Sequence, residues 1–268
     1  EGEIVQIGPG RPGVAEGPDG QHFGPGPLLD QLVGSKGVLD ALEFLGHVNL
    51  FQAKSPGRQV VVIGGGNVAV DAARAAKRLG AEKVTIVYRR SEHEMPAYVE
   101  EIQDAKAEHI DFLFLTSPVK VHSQSGAVTG FECIQTELGP VDASGRRRPV
   151  PVKGSEFVIP CDAVIPAIGQ KIDNTWAETE PGLAWTSRMS IKVDPWTLQT
   201  SIPSVFAGGD AVTGPATVIE AVSAGHKAVE SIHRFINGEK LSDFAEALQQ
   251  KKQPGDNWWP VSEDMEPA

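Results

Sequence analysis

Gly64, Gly66 and Ala69 stand in the spacing G-x-G-x-x-A, the arrangement in this 268-residue chain with the clearest chemical use. An apolar run at residues 60–63 enters the turn, a helical pattern follows at once, and a second apolar run at residues 84–87 closes the unit. That order makes a β-α-β unit, in which the spacing is the fingerprint of a dinucleotide site. Gly64 permits a tight turn, Gly66 lets backbone approach a pyrophosphate, and Ala69 lets helix and strand pack closely. A helix starting near Asn67 turns its first N–H groups and the positive end of its dipole toward the phosphates. The same spacing also occurs in ordinary glycine turns; the strand before it and the helix after it select the nucleotide reading.

The end of the second strand decides which nucleotide. About 20 residues past the glycines, an NAD site places an acidic residue on the ribose 2′-hydroxyl. Here the positions are Tyr88, Arg89 and Arg90, followed by Ser91. Two guanidiniums suit the dianionic 2′-phosphate of NADP(H), because the Arg fork matches phosphate oxygens bidentately. A solvated basic strand end is the alternative.

The elements that position these residues read as follows. A turn at residues 54–57 introduces the first strand, and the helix over residues 67–79 presents alanines to the sheet and stops at Gly80. Asp71, in its first turns, reads as a carboxylate favoured by the helix N-terminus. Upstream, Val38, Leu42, Leu45 and Val48 predict a short amphipathic helix over residues 35–50, starting near Ser35 or Lys36. Downstream, Pro96 suits the first position of a helix running to about Glu108, with Glu92 and Glu94 favouring its N-terminus. Residues 110–115 form a third parallel strand. Residues 119–122, 128–138 and 157–159 predict antiparallel strands around a polar loop that holds Arg146, Arg147 and Arg148, read as a solvated turn, with an acidic partner for the arginines as the alternative. Cys133 alternates with apolar neighbours and reads as a small core residue. A strand over residues 163–168 leads to Gly169. A short buried strand at residues 205–207 stops at Gly208, Gly209 and Asp210. A long helix from about Ala216 should pack through Val218, Ala221, Val222, Gly225, Val229 and Ile232, with Gly225 closely approaching another backbone.

Composition bounds the partners. A net charge of −11 argues against nucleic acid and against an anionic membrane surface. No run approaches the roughly 18 apolar residues of a membrane span, and no secretory signal is visible, so a soluble cytoplasmic protein is the expectation. Cys133 and Cys161 are the two cysteines and lie outside any C-x-x-C, which excludes an iron–sulfur cluster or redox dithiol built by this chain alone. Gly and Pro supply about half of residues 1–27, where Gly8, Gly10 and Gly13 repeat the fingerprint spacing. Pro9 and Pro12 remove donors a phosphate needs and no helix can follow, so that stretch reads as a loop. The tail beyond Gly238 is polar, with Trp258 and Trp259 as a docking candidate.

The segments IGGGNVAVDAARAAKRLGAEKVTIVYRR, EMPAYVEEIQDAKAEHI, ELGPVDASGRRRPVPVKGSEF and FAGGDAVTGPATVIEAVSAGHKA together resemble the glutamate synthase small-subunit family. The likeness covers about residues 34–238. Within the family it is strongest to the NADP-binding subunits of NADH-dependent ferredoxin:NADP oxidoreductases. The resemblance implies a Rossmann-like α/β two-dinucleotide-binding flavoprotein fold. It divides the chain into a segment 1–57, an NAD(P)-binding domain 58–164, the C-terminal part of an FAD-binding domain 165–240 and a tail 241–268. It implies that Gly64, Gly65, Gly66, Asn67 and Val68 hold the nucleotide pyrophosphate, and Arg89 and Arg90 its 2′-phosphate. Ala167, Ile168 and Gly169 would form the crossover. Gly209 and Asp210 would meet the FAD diphosphate and ribityl chain, and Thr217 and Val218 would offer amides to the flavin ring. It names no acid–base catalyst.

Family members carry upstream a first G-x-G-x-x-G for FAD and a cysteine-rich iron–sulfur region, neither of which stands in this sequence. The expectation is that the N-terminal half of the flavin domain is absent here. The first half of the FAD site, and the iron–sulfur centres, would then come from a partner polypeptide or from the rest of a longer chain. The function implied is hydride exchange between NADP(H) and flavin, with electrons passing to or from those centres. The alternatives are a non-catalytic nucleotide-sensing or scaffold module, and a glutamate synthase small subunit.

Overall fold

A computed structural model describes residues 36–141, 146–169, 182–187 and 189–251. The repeated spacing at Gly8, Gly10 and Gly13 and the pair Trp258 and Trp259 lie outside the described residues. Two compact units divide after Gly169.

The first unit is built on four parallel strands in the order β3-β2-β1-β8: β1 (Gln59–Ile63), β2 (Lys83–Val87), β3 (Asp111–Leu113) and β8 (Ala163–Pro166). Val61 stands opposite Thr85 on one side and Val164 on the other. Residues 60–63 are all buried because this sheet is covered on both faces, which explains an unbroken apolar run in place of alternation. One face (Val60, Val62, Val84, Ile86, Ala163, Ile165) packs on helices α1 (Ala41–Asn49), α2 (Asn67–Arg78) and α3 (Val99–Ala107). The other face (Val61, Ile63, Val87, Val164) packs on an antiparallel sheet through Val128, Phe131 and Cys133. That sheet joins β4 (Thr116–Gln124), β5 (Ala127–Val141) and β6 (Arg147–Pro151) in order, with β7 (Phe157–Ile159) also on β5. Each fully buried Val or Ile contributes about 1.5–3 kcal/mol, so this sandwich is what fixes the glycine turn in space.

Several expectations change. The first helix starts five or six residues later than predicted: Gly37 has φ +99°, Val38 bridges to Val164, and Asp40 caps the helix by accepting from the Leu42 and Glu43 amides at 2.9 and 3.0 Å. Pro96 lies outside α3, which begins after Tyr98 and follows a short 3-10 turn at Glu92–Glu94. The predicted polar loop contains strand β6, so Arg147 and Arg148 are strand residues. Asp71 is exposed and lies beyond the first turn of α2; partial desolvation first, then the Glu101 carboxylate, push its carboxyl above the usual range.

Cys133 and Cys161 are both buried in the second core, which pushes each thiol from the usual 9.0 up to about 12. Neither should be alkylated at pH 8 in the folded chain, whereas mass spectrometry should find both modified after denaturation. Because burial raises both pKa values, this contribution to stability is intact below pH 9.0 and is lost as pH climbs through about 12.

In the second unit, α4 (Asp210–Thr213), α5 (Val218–Ile236) and α6 (Leu241–Lys251) accompany a small core of Leu183, Ile191, Val193, Leu198, Val212 and Ala224. Residues 205–207 form no strand: Phe206 makes a single bridge to Gln199, and Val205 is exposed. Helix α5 packs by its small residues. Ala224 and Ser231 are buried, while Val218, Val222 and Val229 are exposed, against expectation. The close approach belongs to Gly208, where a Cβ would lie 2.9 Å from that of Ala224; at Gly225 a Cβ would meet nothing within 4 Å. Among the described residues no helix is long and apolar enough to cross a membrane.

Candidate functional site

The glycine turn follows β1, and its three glycines are required for three different reasons. Gly64 has φ +144°, and its amide donates to the Val87 carbonyl at 3.1 Å, locking the turn between β1 and β2. A Cβ there would fall 2.3 Å from the Ala167 carbonyl oxygen. At Gly65 a Cβ would strike the Tyr88 ring at 2.4 Å. Gly66 is the N-cap of α2 with φ −88°, and a Cβ on it would meet nothing within 4 Å. Gly66 is thus small toward open space rather than toward protein, the arrangement expected where a pyrophosphate approaches a helix N-terminus. Ala69 is fully buried beneath the turn.

Neighbouring elements hold this loop. The Asn67 side chain accepts from the Tyr98 amide at 2.9 Å, and Ala97 donates to the Gly65 carbonyl at 3.1 Å, so residues 97 and 98 brace the turn. Asn67 therefore has a positioning role that its place in the motif did not indicate. Val68 is 37% exposed on the first turn of α2. Ala167 donates to the Ile63 carbonyl at 2.7 Å, which brings the crossover beside the turn; Ile168 is 36% exposed and Gly169 has φ +108°.

The two arginines part company. Arg89 is exposed at the end of β2, and its carbonyl accepts from Thr136 Oγ1 at 2.8 Å. Arg90 is 3% exposed, and its Nε donates to the Arg147 carbonyl at 2.6 Å. Arg90 is thus largely buried, and its Nε contact fastens β6 to the strand end. Arg147 does meet an acid, as its Nη2 lies 2.6 Å from Glu94 Oε1. The Ser91 hydroxyl, aided by Arg147, holds the Glu94 carboxyl below the usual range.

In the second unit, Gly209, Asp210, Thr217 and Val218 line one cleft of about 480 Å³, together with Phe206, Ala221 and Ile232. Gly209 has φ 61° and ψ −150°, a backbone region open essentially to glycine alone. Asp210 is exposed, and its Oδ1 accepts from the Ala216 amide at 3.2 Å, tying the start of α4 to the entry of α5. Thr217 caps α5 reciprocally with Glu220: its amide donates to Glu220 Oε2 at 2.7 Å, and its hydroxyl accepts from the Glu220 amide at 3.3 Å. The Thr217 amide is thus engaged by Glu220, and a ring edge at that atom must displace the carboxylate. Glu220 was missed, although T-x-x-E before an apolar run is the sequence signature of this cap. Among the described residues no group of three or more His, Cys, Asp or Glu is placed to hold a metal.

Comparison with known proteins agrees with this geometry. Residues 24–225 match the family model described as pyridine nucleotide-disulphide oxidoreductase. The chain is 47% identical to the NADP(+)-dependent formate dehydrogenase subunit beta of Moorella thermoacetica, over 80% of this chain and 30% of that protein. It is 41% identical to the NADPH-Fe(3+) oxidoreductase subunit beta of Geobacter sulfurreducens, covering 77% and 34%. With the glutamate synthase [NADPH] small chain of Escherichia coli it shares 37% identity, covering 67% and 39%. The chain therefore spans about a third of the length of these relatives. Its fold matches Mycobacterium tuberculosis FprA in complex with NADPH, with TM-score 0.59, 20% identity, and 84% of this chain and 67% of that one covered. It also matches T. acidophilum thioredoxin reductase, with TM-score 0.58, 24% identity, and 74% and 57% covered. The α/β flavoprotein fold and the likeness to glutamate synthase small chains read from the sequence are both upheld.

Proposed function

The chain belongs to the pyridine nucleotide-disulphide oxidoreductase family, and from that premise we propose that it is the NADP(H)-binding part of an FAD-dependent electron-transfer oxidoreductase. The observation that carries the reading is Gly66, a helix N-cap whose missing side chain opens onto space rather than protein. The Moorella, Geobacter and Escherichia relatives carry NADP(+) or NADPH in their names, and the exposed side chain of Arg89 at the end of β2 supports the same preference here.

Each element has a share in this function. The turn at Gly64, Gly65 and Gly66, braced by Asn67, offers backbone donors and the positive end of α2 to the pyrophosphate, with Val68 on the first helical turn. Ala167, Ile168 and Gly169 border the turn on its other side. Arg89 selects the 2′-phosphate. In the second unit, which residues would hold FAD follows from the cleft: Gly209 would let backbone approach the diphosphate, the Asp210 carboxylate would accept from a ribityl hydroxyl, and Val218 at the start of α5 would support the ring. Flavin, when bound, supplies hydride exchange with nicotinamide and one-electron transfer, so no side chain here has to act as an acid or base. Residues beyond this stretch, in a partner or a longer chain, would complete the FAD site and carry the iron–sulfur centres.

Titration calorimetry with NADP(+) and NAD(+) tests the reading. The chain should bind NADP(+) more tightly, and Arg89→Ala should weaken NADP(+) by about tenfold while barely changing NAD(+), since a charge-assisted phosphate contact is worth about 1.5–3 kcal/mol. Equal losses for the two nucleotides would assign Arg89 to structure or to the pyrophosphate.

A further inference from the structure

We propose that Arg147, on the first residue of β6, is a second specificity residue for the 2′-phosphate of NADP(H), and that the β5–β6 hairpin forms a wall of the adenosine end of the site. This inference rests on the NADP(H) reading above. Arg147 lines a surface cleft of about 570 Å³ with His93, Glu94, Met95, Pro96 and Arg146. Three sets of contacts place that cleft beside the nucleotide loop. Residues 97 and 98, directly after its Met95–Pro96 edge, bond to Gly65 and Asn67 of the glycine turn. The Arg90 Nε donates to the Arg147 carbonyl, holding β6 against the end of β2. Thr136 of β5 donates to the Arg89 carbonyl, fastening the neighbouring strand to the residue that selects the phosphate.

The chemistry of the cleft suits a phosphate monoester. Its carboxylate is already matched, because Glu94 Oε1 takes the Nε and Nη2 of Arg147 at 2.7 and 2.6 Å. The nearby Glu92 is paired with Lys106 at 2.6 Å. A guanidinium carries five donors, so the Glu94 contact fixes the Arg147 fork in orientation and still allows a phosphate oxygen to be held through Nη1. The side chain of Arg147 is 48% exposed and reachable by ligand. Arg90 presents Arg147 by holding its carbonyl. Beside the buried Arg90, the hairpin supplies an exposed guanidinium.

The experiment compares NADP(+), NAD(+) and 2′-AMP binding to the full chain and to Arg147→Ala and Arg147→Lys by calorimetry, with melting temperature in parallel. Arg147→Ala leaves the carbonyl that receives Arg90 in place, so the hairpin anchor survives. The expected result is a loss of about tenfold for NADP(+) and 2′-AMP with NAD(+) changed less than about twofold, and partial recovery in Arg147→Lys. Unchanged NADP(+) affinity, or an equal loss for NADP(+) and NAD(+), overturns the role of Arg147 while the NADP(H) reading stands. A parent chain that prefers NAD(+), or binds neither nucleotide, overturns the reading on which it rests.

Discussion

Gly66→Asp is expected to leave the chain folded and to weaken NADP(H) binding by more than about a hundredfold. Two opposite effects meet at one atom. The residue is an N-cap with φ −88° and lacks a side-chain cap bond, so Asp can adopt its backbone and cap α2, adding a few tenths of a kcal/mol of stability. The new carboxylate projects where a Cβ meets nothing within 4 Å, into the space assigned to the pyrophosphate. Like charges about 4 Å apart near a protein surface repel by about 4 kcal/mol. Melting temperature and nucleotide affinity measured on one preparation separate the two effects. A variant that binds NADP(+) as tightly as the parent chain would remove the pyrophosphate from Gly66.

Asp210→Ala should lower FAD retention in the complete assembly by between about tenfold and a hundredfold, because a hydrogen bond to a charged acceptor is worth about 1.5–3 kcal/mol. NADP(H) binding should be nearly unchanged, since Asp210 and the glycine turn belong to different units. The bond from the Ala216 amide gives Asp210 a structural role as well, worth about 1 kcal/mol or a few degrees in melting temperature. Asp210→Asn distinguishes the roles: its side-chain oxygen can still accept from Ala216, so the melting temperature should recover while flavin retention does not. Full flavin content in both variants, with a lowered melting point in Asp210→Ala alone, would leave Asp210 as a loop fastening only.

The nucleotide unit was legible because local and tertiary signals agree there. The run at residues 60–63 is buried on both faces, the alanines of α2 face the sheet, and Gly80 follows the helix with φ +101°. Where the reading failed, a tertiary partner outweighed a local pattern. Val38 fits a helical stripe yet pairs with Val164, and the true start was signalled by Asp40 followed three residues later by Glu43. Strand β6 is an outer strand with mostly exposed side chains and two prolines, so it shows no apolar alternation. Arg90 could not be distinguished from Arg89 by type; its burial, with its Nε on the Arg147 carbonyl, involves strand β6 beside it. On α5 the large apolar residues suggested one face, but the space left by Gly208 admits Ala224, and the helix packs through its small residues.

The most direct test of the central claim is anaerobic addition of NADPH to the intact flavin-containing assembly, followed through the visible absorbance of the flavin. The account predicts prompt bleaching with NADPH, a much weaker response to NADH at the same concentration, and none when the assembly carries Gly66→Asp in this chain. Flavin that stays oxidised with NADPH, or that bleaches equally well in the Gly66→Asp assembly, would contradict it.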